Sequence, residues 1–174
     1  GGNHQGFIAE VDEFSFTPFA SLKNASSIVF LCGISDVGNI GSIVRSSLAL
    51  GADALIIANR QGLSEQGISG MLRTSSGAGY ELDICVVNDD LSALNELKQA
   101  GFTLLGADAS GQDVRALAPK PEKFVLLMGA EDKGIGKKAM SKCDKIVAIK
   151  MKNNWDSLNV GVATAILFDR IKNG

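Results

Sequence analysis

Six short runs of apolar residues constrain the fold of this chain more than any other feature. Each has the length of a β-strand, and most are rich in β-branched side chains. The run at 124–128, Phe-Val-Leu-Leu-Met, does not alternate with polar residues, which is typical of a strand covered on both faces. The runs lie at 28–32, 54–58, 84–87, 102–106, 124–128 and 146–149.

Several segments between these runs have the apolar spacing of helices. Asp89 and Asp90 are the predicted N-cap of one helix, and Gly101 is its predicted end. Strands that alternate with helices predict βαβ units, and therefore an α/β fold with a mostly parallel sheet and helices on both faces. The predicted buried faces are Ile40, Ile43, Val44, Leu48 and Leu50 in the first helix, Leu91, Leu94 and Leu97 in the second, and Leu158, Val162, Ala165, Ile166 and Phe168 in the last.

The length of 174 residues favours one domain, which we place at 28–174. Residues 1–27 are predicted to form a strand at 7–11 and then a connector or short helix around Pro18. No apolar run approaches the roughly 18 residues of a membrane span and no signal peptide is recognisable, so a cytoplasmic location is expected. Because the chain starts at Gly1 without Met, we also expect a further domain upstream in the full protein.

Composition narrows the classes of function. Apolar residues make up 45% of the chain and charged residues 21%, as in globular proteins, and the net charge is −2. That charge disfavours non-specific polyanion binding by the whole surface but is compatible with a local basic patch. Cys32, Cys85 and Cys143 are interpreted as reduced thiols of a cytosolic protein, the first two in buried strands. With His4 as the single histidine, neither a Cys/His zinc site nor a Ser-His-Asp triad is expected.

Three polar loops carry the candidate chemistry, because ligands of a parallel sheet bind beyond the carboxyl ends of its strands. The first loop covers 33–41. Its glycines, Gly38 and Gly41, allow a tight turn or the close approach of a ligand, and Asn39 offers a donor and an acceptor. Arg45 follows six residues after Asn39, on roughly the same predicted helix face. The alternative interpretation is that Asn39 only caps the helix and that Arg45 is a surface residue.

The second loop, 128–136, follows the strongest strand signal. A Walker A motif is excluded because Ile135 stands where the motif needs Lys. The segment 134–139 resembles a dinucleotide fingerprint, but it starts six residues after the strand, so nicotinamide binding is disfavoured. Glu131 in this loop is either a site residue or merely a solvated charge.

The third loop ends in Ser157-Leu158-Asn159, where the last predicted helix begins. Backbone N–H groups without partners point outward at such a junction, which makes it a frequent place for function. Asp156 or Ser157 is the predicted cap, with Asn159 in the first helical turn. Capping alone would account for Ser157.

Together the three loops resemble the signature motifs of the SpoU/TrmH group of SPOUT RNA 2′-O-ribose methyltransferases. The first motif, with Gly two residues after Asn and Arg four residues later, is matched by Asn39, Gly41 and Arg45. The second, an apolar strand followed by Gly-Ser/Ala-Glu and a further Gly, is matched by 126–131 and Gly134.

The third motif of that group is Ile-Pro-Met, a short polar loop and Ser-Leu-Asn-Val. Ile149, Met151 and 157–160 match it, whereas Lys150 replaces the usual Pro. The whole resemblance covers 28–172.

The resemblance implies an α/β domain with a deep C-terminal trefoil knot, and a homodimer. The second and third loops would form the pocket for the cofactor S-adenosyl-L-methionine, and no metal is implied. The final helix would lie near the dimer interface, with Arg45 entering the site beside the partner's cofactor. The implied cofactor contacts, largely through the backbone, are Gly129, Ile149, Met151 and Leu158.

The implied reaction is methyl transfer to a ribose 2′-hydroxyl of RNA. Arg45 is the group's candidate for activating that hydroxyl. Because a free guanidinium has a pKa above about 12, we interpret Arg45 as a stabiliser of the developing alkoxide or as a relay through an RNA phosphate. Asn39, Glu131, Ser157 and Asn159 are implied to orient Arg45, the ribose and the loops.

The target RNA is less constrained than the reaction. His4-Gln5-Gly6 resembles the junction before the catalytic domain in the bacterial branch that methylates a ribosomal RNA guanosine, where a small RNA-binding domain lies upstream. A guanosine in large-subunit ribosomal RNA is therefore favoured, with transfer RNA as the alternative. The expected basic rim of the site is Arg45, Arg73, Lys133, Lys137, Lys138, Lys150 and Lys152.

Two other hypotheses stay open at this stage. One is a module of the same fold that binds RNA or cofactor without turnover. The other is a doubly wound nucleotide-binding enzyme with a different chemistry, which the failure of both phosphate motifs disfavours.

Overall fold

The computed structural model describes residues 13–154 and 157–174. All six apolar runs form strands, and these pair in parallel in one sheet of order β3-β2-β1-β5-β4-β6. The predicted α/β class is therefore confirmed. The strands are β1 Ser27–Cys32, β2 Ala54–Ala58, β3 Asp83–Val87, β4 Thr103–Asp113, β5 Phe124–Gly129 and β6 Lys145–Ala148. The helices are α1 Val37–Ala49, α2 Glu65–Thr74, α3 Asp90–Gln99, α4 Lys137–Lys142 and α5 Val160–Lys172.

Both faces of the sheet are buried, which explains why the strand sequences lack polar alternation. In β1, Ile28 and Phe30 pack on the face covered by α3 and α4, whereas Val29 and Leu31 pack on the face covered by α1, α2 and α5. Each of these four side chains has no exposed surface. Burial of such a side chain stabilises the fold by roughly 1.5–3 kcal/mol.

The strand order brings the first two loops together. The chain builds β2 and β3 on one side of β1 and places β5, β4 and β6 on the other side. The ends of β1 and β5 are neighbours, with Cys32 paired to Gly129. A crevice at such a reversal of strand order is the usual ligand site of an open parallel sheet.

Strand β4 is longer than the apolar run at 102–106 predicts, because it continues through polar residues to Asp113. Ala107 and Gln112 both pair with Val147 of β6, so 108–111 loops out of the register between them. Gly111 lies against the backbone of β6, where a Cβ would come within 2.7 Å of Ile146 and Val147 atoms.

The first two predicted helices are confirmed. In α1, Ile40, Ile43 and Val44 are buried as the spacing predicts. The Asp89 carboxylate caps α3 by accepting a 3.0 Å hydrogen bond from the Ser92 N–H. Gly101 follows the helix with a φ of +93°, a left-handed conformation that suits glycine.

The predicted buried face of the last helix is wrong. Leu158 precedes α5, Val162 is 49% exposed, and Ala165 and Ile166 are half-buried, so only Phe168 of the predicted five is buried. Apolar residues surround this helix, and the pattern therefore admits more than one face. The buried face is Val160, Gly161, Thr164, Leu167, Phe168 and Ile171.

Around Pro18, the expected connector or short helix is a 3₁₀ helix at Phe19–Asn24. The strand predicted at 7–11, the segment His4-Gln5-Gly6 and the candidate cap Asp156 lie outside the described residues. None of the helices in the described part combines the length and the hydropathy that a membrane span requires.

The three cysteines are free thiols, with Cys32 and Cys85 buried and Cys143 half-buried. Burial, together with the nearby Asp90 and Cys143, raises the pKa of Cys32 to about 12. Burial and the neighbouring Asp144 raise the pKa of Cys143 to about 11, against the opposing charge of Lys98. Low thiolate content makes such cysteines poor nucleophiles. Within 13–154 and 157–174, no cluster of His, Cys, Asp and Glu could hold a metal ion.

Candidate active site

Asn159 joins the three loops. Its Nδ2 donates a 3.0 Å hydrogen bond to Asn39 Oδ1 in the first loop and lies 3.5 Å from Glu131 Oε1 in the second. The side-chain amide of Asn159 thus contacts two residues that precede it by 120 and by 28 positions in the chain. The structure therefore brings together three of the predicted site residues.

Asn159 is also the N-cap of α5, which corrects the predicted cap at Ser157. Its Oδ1 accepts hydrogen bonds from the N–H groups of Gly161 at 2.9 Å and Val162 at 3.3 Å. Glu131 Oε1 accepts a further bond from the Val160 N–H at 3.0 Å. Two side chains thus bind three of the N–H groups that a helix start leaves without partners. Glu131 is accordingly more than a solvated charge.

Asn39 does not cap α1, so the alternative interpretation of this residue is wrong. Asp36 is the cap, and its Oδ1 accepts a 2.8 Å hydrogen bond from the Asn39 N–H. Asn39 stands in the first helical turn, where its side chain is available to reach Asn159.

An apolar pocket opens beside this hydrogen-bond network. It contains all four residues implied as cofactor contacts, Gly129, Ile149, Met151 and Leu158, together with Ser157 and Glu131. The walls come from the ends of β5 and β6, from the loop within β4 and from the start of α5. The other lining residues are Ala107, Asp108, Ala109, Met128, Val147, Ala148, Val160, Ala163 and Leu167.

Gly129 is needed because the loop after β5 folds back over it. Ala130 and Gly134 form an antiparallel bridge in which the Gly134 N–H donates a 2.7 Å hydrogen bond to the Ala130 carbonyl. A Cβ on Gly129 would collide with the backbone of Gly134 and Ile135. The glycine of the second motif therefore allows one strand end and its own loop to pack backbone to backbone.

Gly41 has a different role from the predicted turn or ligand approach. It lies buried inside α1, and a Cβ there would collide with the Thr74 side chain of α2. The Thr74 hydroxyl is held by a 2.8 Å hydrogen bond to the Gly70 carbonyl. Gly41 therefore permits close packing of two helices.

A polar cleft adjoins the apolar pocket on the side of the first loop. Asn39, Glu131 and Lys133 line it, along with Gly33, Ile34, Ser35, Asp36, Ala130, Asp132 and Val160. Glu131 and Val160 line both the cleft and the pocket. A bound group in one is therefore adjacent to a bound group in the other.

Arg45 is not brought into this arrangement within one chain. Six residues after Asn39, it lies about 9 Å along α1 and about 120° around it, rather than on the same face as predicted. The side chain is exposed and makes no hydrogen bond or ion pair with residues 13–154 or 157–174.

The expected basic rim is dispersed. Lys133 lines the cleft beside Asn39, but Arg73 lies in a separate groove of α2 with Leu72 and Tyr80. Lys137 and Lys138 begin α4, on the opposite face of the sheet from α1.

The loop within β4 belongs to the site, although the three motifs do not include it. Asp108 and Ala109 line the apolar pocket, and the hydroxyl and N–H of Ser110 hydrogen-bond to Asp108 Oδ1 at 2.6 and 2.9 Å. These bonds lower the pKa of Asp108. Lys150, which replaces the usual Pro, donates a 3.1 Å bond to the Gly111 carbonyl and so ties this loop to the end of β6. The interruption Asp-Ala-Ser-Gly after an apolar run is the signal that could have identified the loop.

Comparisons with known proteins identify the family of this chain. The model of the SpoU rRNA Methylase family matches residues 26–169. A protein of Archaeoglobus fulgidus, named an uncharacterized tRNA/rRNA methyltransferase, is 33% identical over 165 residues, which cover 92% of this chain and 72% of that protein. The chain spans 56% to 72% of the length of such sequence relatives.

Two solved structures share the fold. The SpoU methyltransferase AviRb from Streptomyces viridochromogenes, in complex with the cofactor AdoMet, has a TM-score of 0.74 at 28% identity, covering 85% of this chain and 60% of that chain. An rRNA methyltransferase from Sinorhizobium meliloti has a TM-score of 0.80 at 24% identity, covering 91% of this chain and 61% of that one. With a family match over most of its length, this chain belongs to the SpoU rRNA methylase family of methyltransferases.

Proposed function

We propose that this chain transfers a methyl group from S-adenosyl-L-methionine (AdoMet) to a ribose 2′-hydroxyl of RNA, with a guanosine of large-subunit ribosomal RNA as the favoured target. The meeting of Asn39, Glu131 and Asn159 at the mouth of an apolar pocket carries the proposal. The AdoMet complex of AviRb supports the cofactor, and the names of the sequence relatives support an RNA substrate.

The residues of the pocket fit AdoMet. Met128, Ile149 and Leu158 provide an apolar wall for the adenosyl part. Residues 149–151 and 157–158 lie outside helices and strands, so their N–H and C=O groups are not used in a helix or in the sheet and can bind polar edges of the cofactor. When bound, AdoMet supplies a methyl group already activated by its sulfonium.

The chain has to place the 2′-oxygen and help it lose its proton. With AdoMet bound, the carbon–oxygen bond would form as the carbon–sulfur bond breaks and the thioether leaves, and negative charge would develop on the 2′-oxygen as its proton passes to water or to an RNA phosphate. We place the ribose where the polar cleft adjoins the apolar pocket, between Asn39 in the cleft and Ser157 in the pocket, so that these side chains and the amide of Asn159 can orient it. Glu131 holds the start of α5, and thereby Leu158 and Asn159, against the pocket.

Arg45 acts in this proposal from a second copy of the chain. Arg45 and Ser42 are exposed on α1. Ser42 packs closely against the start of α5, because a Cβ on Gly161 would come within 3.0 Å of Ser42 Oγ. The exposed face of α1 therefore lies beside the exposed part of α5. Val162, Ala165 and Ile166 give that surface an apolar centre. A homodimer formed there would bury the apolar surface and bring Arg45 toward the partner's cleft.

The deep trefoil knot is part of the proposed fold. Family membership supports it, and so does the convergence of segments from β4, β5, β6 and the start of α5 on one pocket. Tracing the chain path in a crystal structure with AdoMet would test it.

The decisive experiment combines calorimetry with a transfer assay. We expect AdoMet to bind, and tritiated methyl to be transferred to ribosomal RNA that lacks the modification. Resistance of the modified linkage to alkaline hydrolysis would identify the 2′-oxygen as the acceptor, because the free 2′-hydroxyl is what attacks the phosphate.

The controls separate the parts of this proposal. Arg45→Ala should lower kcat at least about tenfold while leaving AdoMet affinity unchanged, since Arg45 is proposed to stabilise charge only in the transition state. If methyl is transferred to transfer RNA and not to ribosomal RNA, then transfer RNA replaces ribosomal RNA as the proposed substrate. AdoMet binding without transfer to any RNA would contradict the enzymatic proposal.

A further inference from the structure

A second polar cleft lies beyond the carboxyl ends of β1, β2 and β3. It has a volume of about 310 Å³. Its lining includes three side chains with hydrogen-bonding groups, Asn59 and Arg60 after β2 and Asn88 after β3. Asp90 at the start of α3 and the backbone after β1 complete the walls.

This second cleft continues the candidate active site. Gly33, Ile34 and Ser35 form a wall common to it and to the cleft of Asn39 and Glu131. Neighbouring strands are about 4.8 Å apart, so the ends of β5, β1 and β2 lie within about 10 Å of one another. A single-stranded RNA whose target ribose lies beside Asn39 can therefore place the next nucleotide in the second cleft.

The side chains of this cleft have unused hydrogen-bonding capacity. Asn59 Oδ1 accepts a 3.0 Å bond from the Gln61 N–H, which leaves its amide N–H groups available. Within 13–154 and 157–174, the side chains of Arg60 and Asn88 make no hydrogen bond or ion pair. Their amide and guanidinium groups match the edges and faces of unstacked bases.

The charge of the cleft favours a base over a bare phosphate. Asp90 places a carboxylate in the same cleft as Arg60, and a carboxylate repels phosphate. The same carboxylate can accept hydrogen bonds from an exocyclic amino group, which guanine, adenine and cytosine have and uracil lacks.

We propose that this cleft binds the base of a nucleotide next to the methylated one and selects for an amino-bearing base. Asn88 and Asp90 bind the edge of the base, and the Arg60 guanidinium lies over its face or on its phosphate. The inference rests on the proposed function, because it assigns a subsite to the same RNA.

The test compares Arg60→Ala and Asn88→Ala with Lys145→Ala as the matched control. Lys145 is exposed at the amino end of β6, on the opposite edge of the sheet. We expect the first two variants to raise KM for RNA about tenfold, with AdoMet affinity unchanged and kcat changed less than about twofold. Lys145→Ala should resemble the wild type.

A change in the RNA provides the second readout. Once the modified position is mapped, replacing the neighbouring nucleotide by uridine should weaken the wild type about tenfold but leave Asp90→Ala almost unaffected, because the Asp90 carboxylate is the group that accepts from the amino group. Wild-type kinetics in Arg60→Ala and Asn88→Ala, with transfer otherwise intact, would refute the subsite and leave the proposed function standing.

Failure of the proposed function gives a different result. If the wild type transfers no methyl group to any RNA, the subsite can still be tested by RNA binding. The measurement is the affinity of each variant for a fluorescein-labelled, random single-stranded RNA of 12 nucleotides. Equal affinity of Arg60→Ala and Lys145→Ala in that assay would overturn the subsite as well.

Discussion

Single residues decide how closely the loops of the site approach one another, and Gly129 is the clearest case. In Gly129→Ala the new Cβ would collide with the backbone of Gly134 and Ile135. We expect the free energy of unfolding to fall by about 2 kcal/mol, and AdoMet binding to be lost as the loop moves away. Urea denaturation and calorimetry would measure the two effects.

Gly136→Ala, in the same loop, is the matched control for that substitution. A Cβ there meets nothing within 4 Å, so the free energy of unfolding should change by less than about 1 kcal/mol. Equal stability of the two variants would show that the loop after β5 is not packed as described.

Lys150 is a second residue whose contact predicts a measurable effect. Lys150→Met removes the bond to the Gly111 carbonyl and frees the loop 108–111, which forms a wall of the pocket. A partly buried bond of this kind contributes about 1 kcal/mol, so AdoMet affinity should fall about fivefold. Lys150→Arg should restore most of it, and Lys145→Met should have no effect. Unchanged affinity in Lys150→Met would remove this residue from cofactor binding.

At the scale of secondary-structure elements, hydrogen bonds to Asp53 connect the start of β1 to the turn before β2. Its Oδ2 accepts hydrogen bonds from the N–H groups of Ser26 at 2.8 Å and Ser27 at 3.0 Å, and Lys172 at the end of α5 reaches the Ser27 hydroxyl. Partial burial acts to raise the pKa of Asp53, but these N–H groups and the charge of Lys172 outweigh it, so the pKa lies below its ordinary value.

A carboxylate whose pKa is lowered by folding stabilises the protein above its unfolded pKa of about 4, and the stabilisation is lost as the pH falls through the folded pKa. We therefore expect Asp53→Asn to lower the free energy of unfolding by about 1 kcal/mol at pH 7, allowing for exposure to solvent. The difference from the wild type should shrink as the pH falls from 7 through the folded pKa of Asp53. Denaturation curves across this range would measure it, with Asp132→Asn as the control, and a constant difference would contradict the assignment.

The sequence pattern predicts the strands more accurately than it predicts the orientation of the last helix. The runs at 54–58 and 124–128 are predicted almost to the residue, because a strand buried on both faces leaves a continuous apolar signal. The orientation of α5 could not be predicted, since Val162, Ala165 and Ile166 are as apolar as Leu167 and Ile171. Which side is buried depends on where the sheet lies, and that is not a local property.

At the scale of the whole molecule, we expect the chain to form a homodimer through the exposed part of α5. Val162→Glu places a charge in the apolar centre of the proposed interface, so we expect monomers in analytical ultracentrifugation and a large loss of transfer. Tyr80→Glu is the control, because Tyr80 is the other large exposed apolar side chain of the described residues and lies in the groove beside α2. A Val162→Glu dimer would contradict the proposed interface.

Mixing two inactive variants tests whether Arg45 acts across that interface. In a mixed dimer of Arg45→Ala and Asn159→Ala chains, one of the two sites regains both residues if Arg45 comes from the partner. Random association then restores about a quarter of wild-type activity, whereas no recovery is expected if both residues act within one chain.

Hydrophobic periodicity and motif spacing predict the strands, the class of sheet and the three motifs, because both are local properties of the chain. The roles of residues within the motifs depend on contacts between distant segments. Asn159 rather than Ser157 caps α5, Gly41 packs helices rather than approaching a ligand, and Asp108 enters the pocket from a loop without a recognised signal. A hydrogen bond such as that between Asn39 and Asn159 spans 120 residues, and only the order of the strands brings its two ends together.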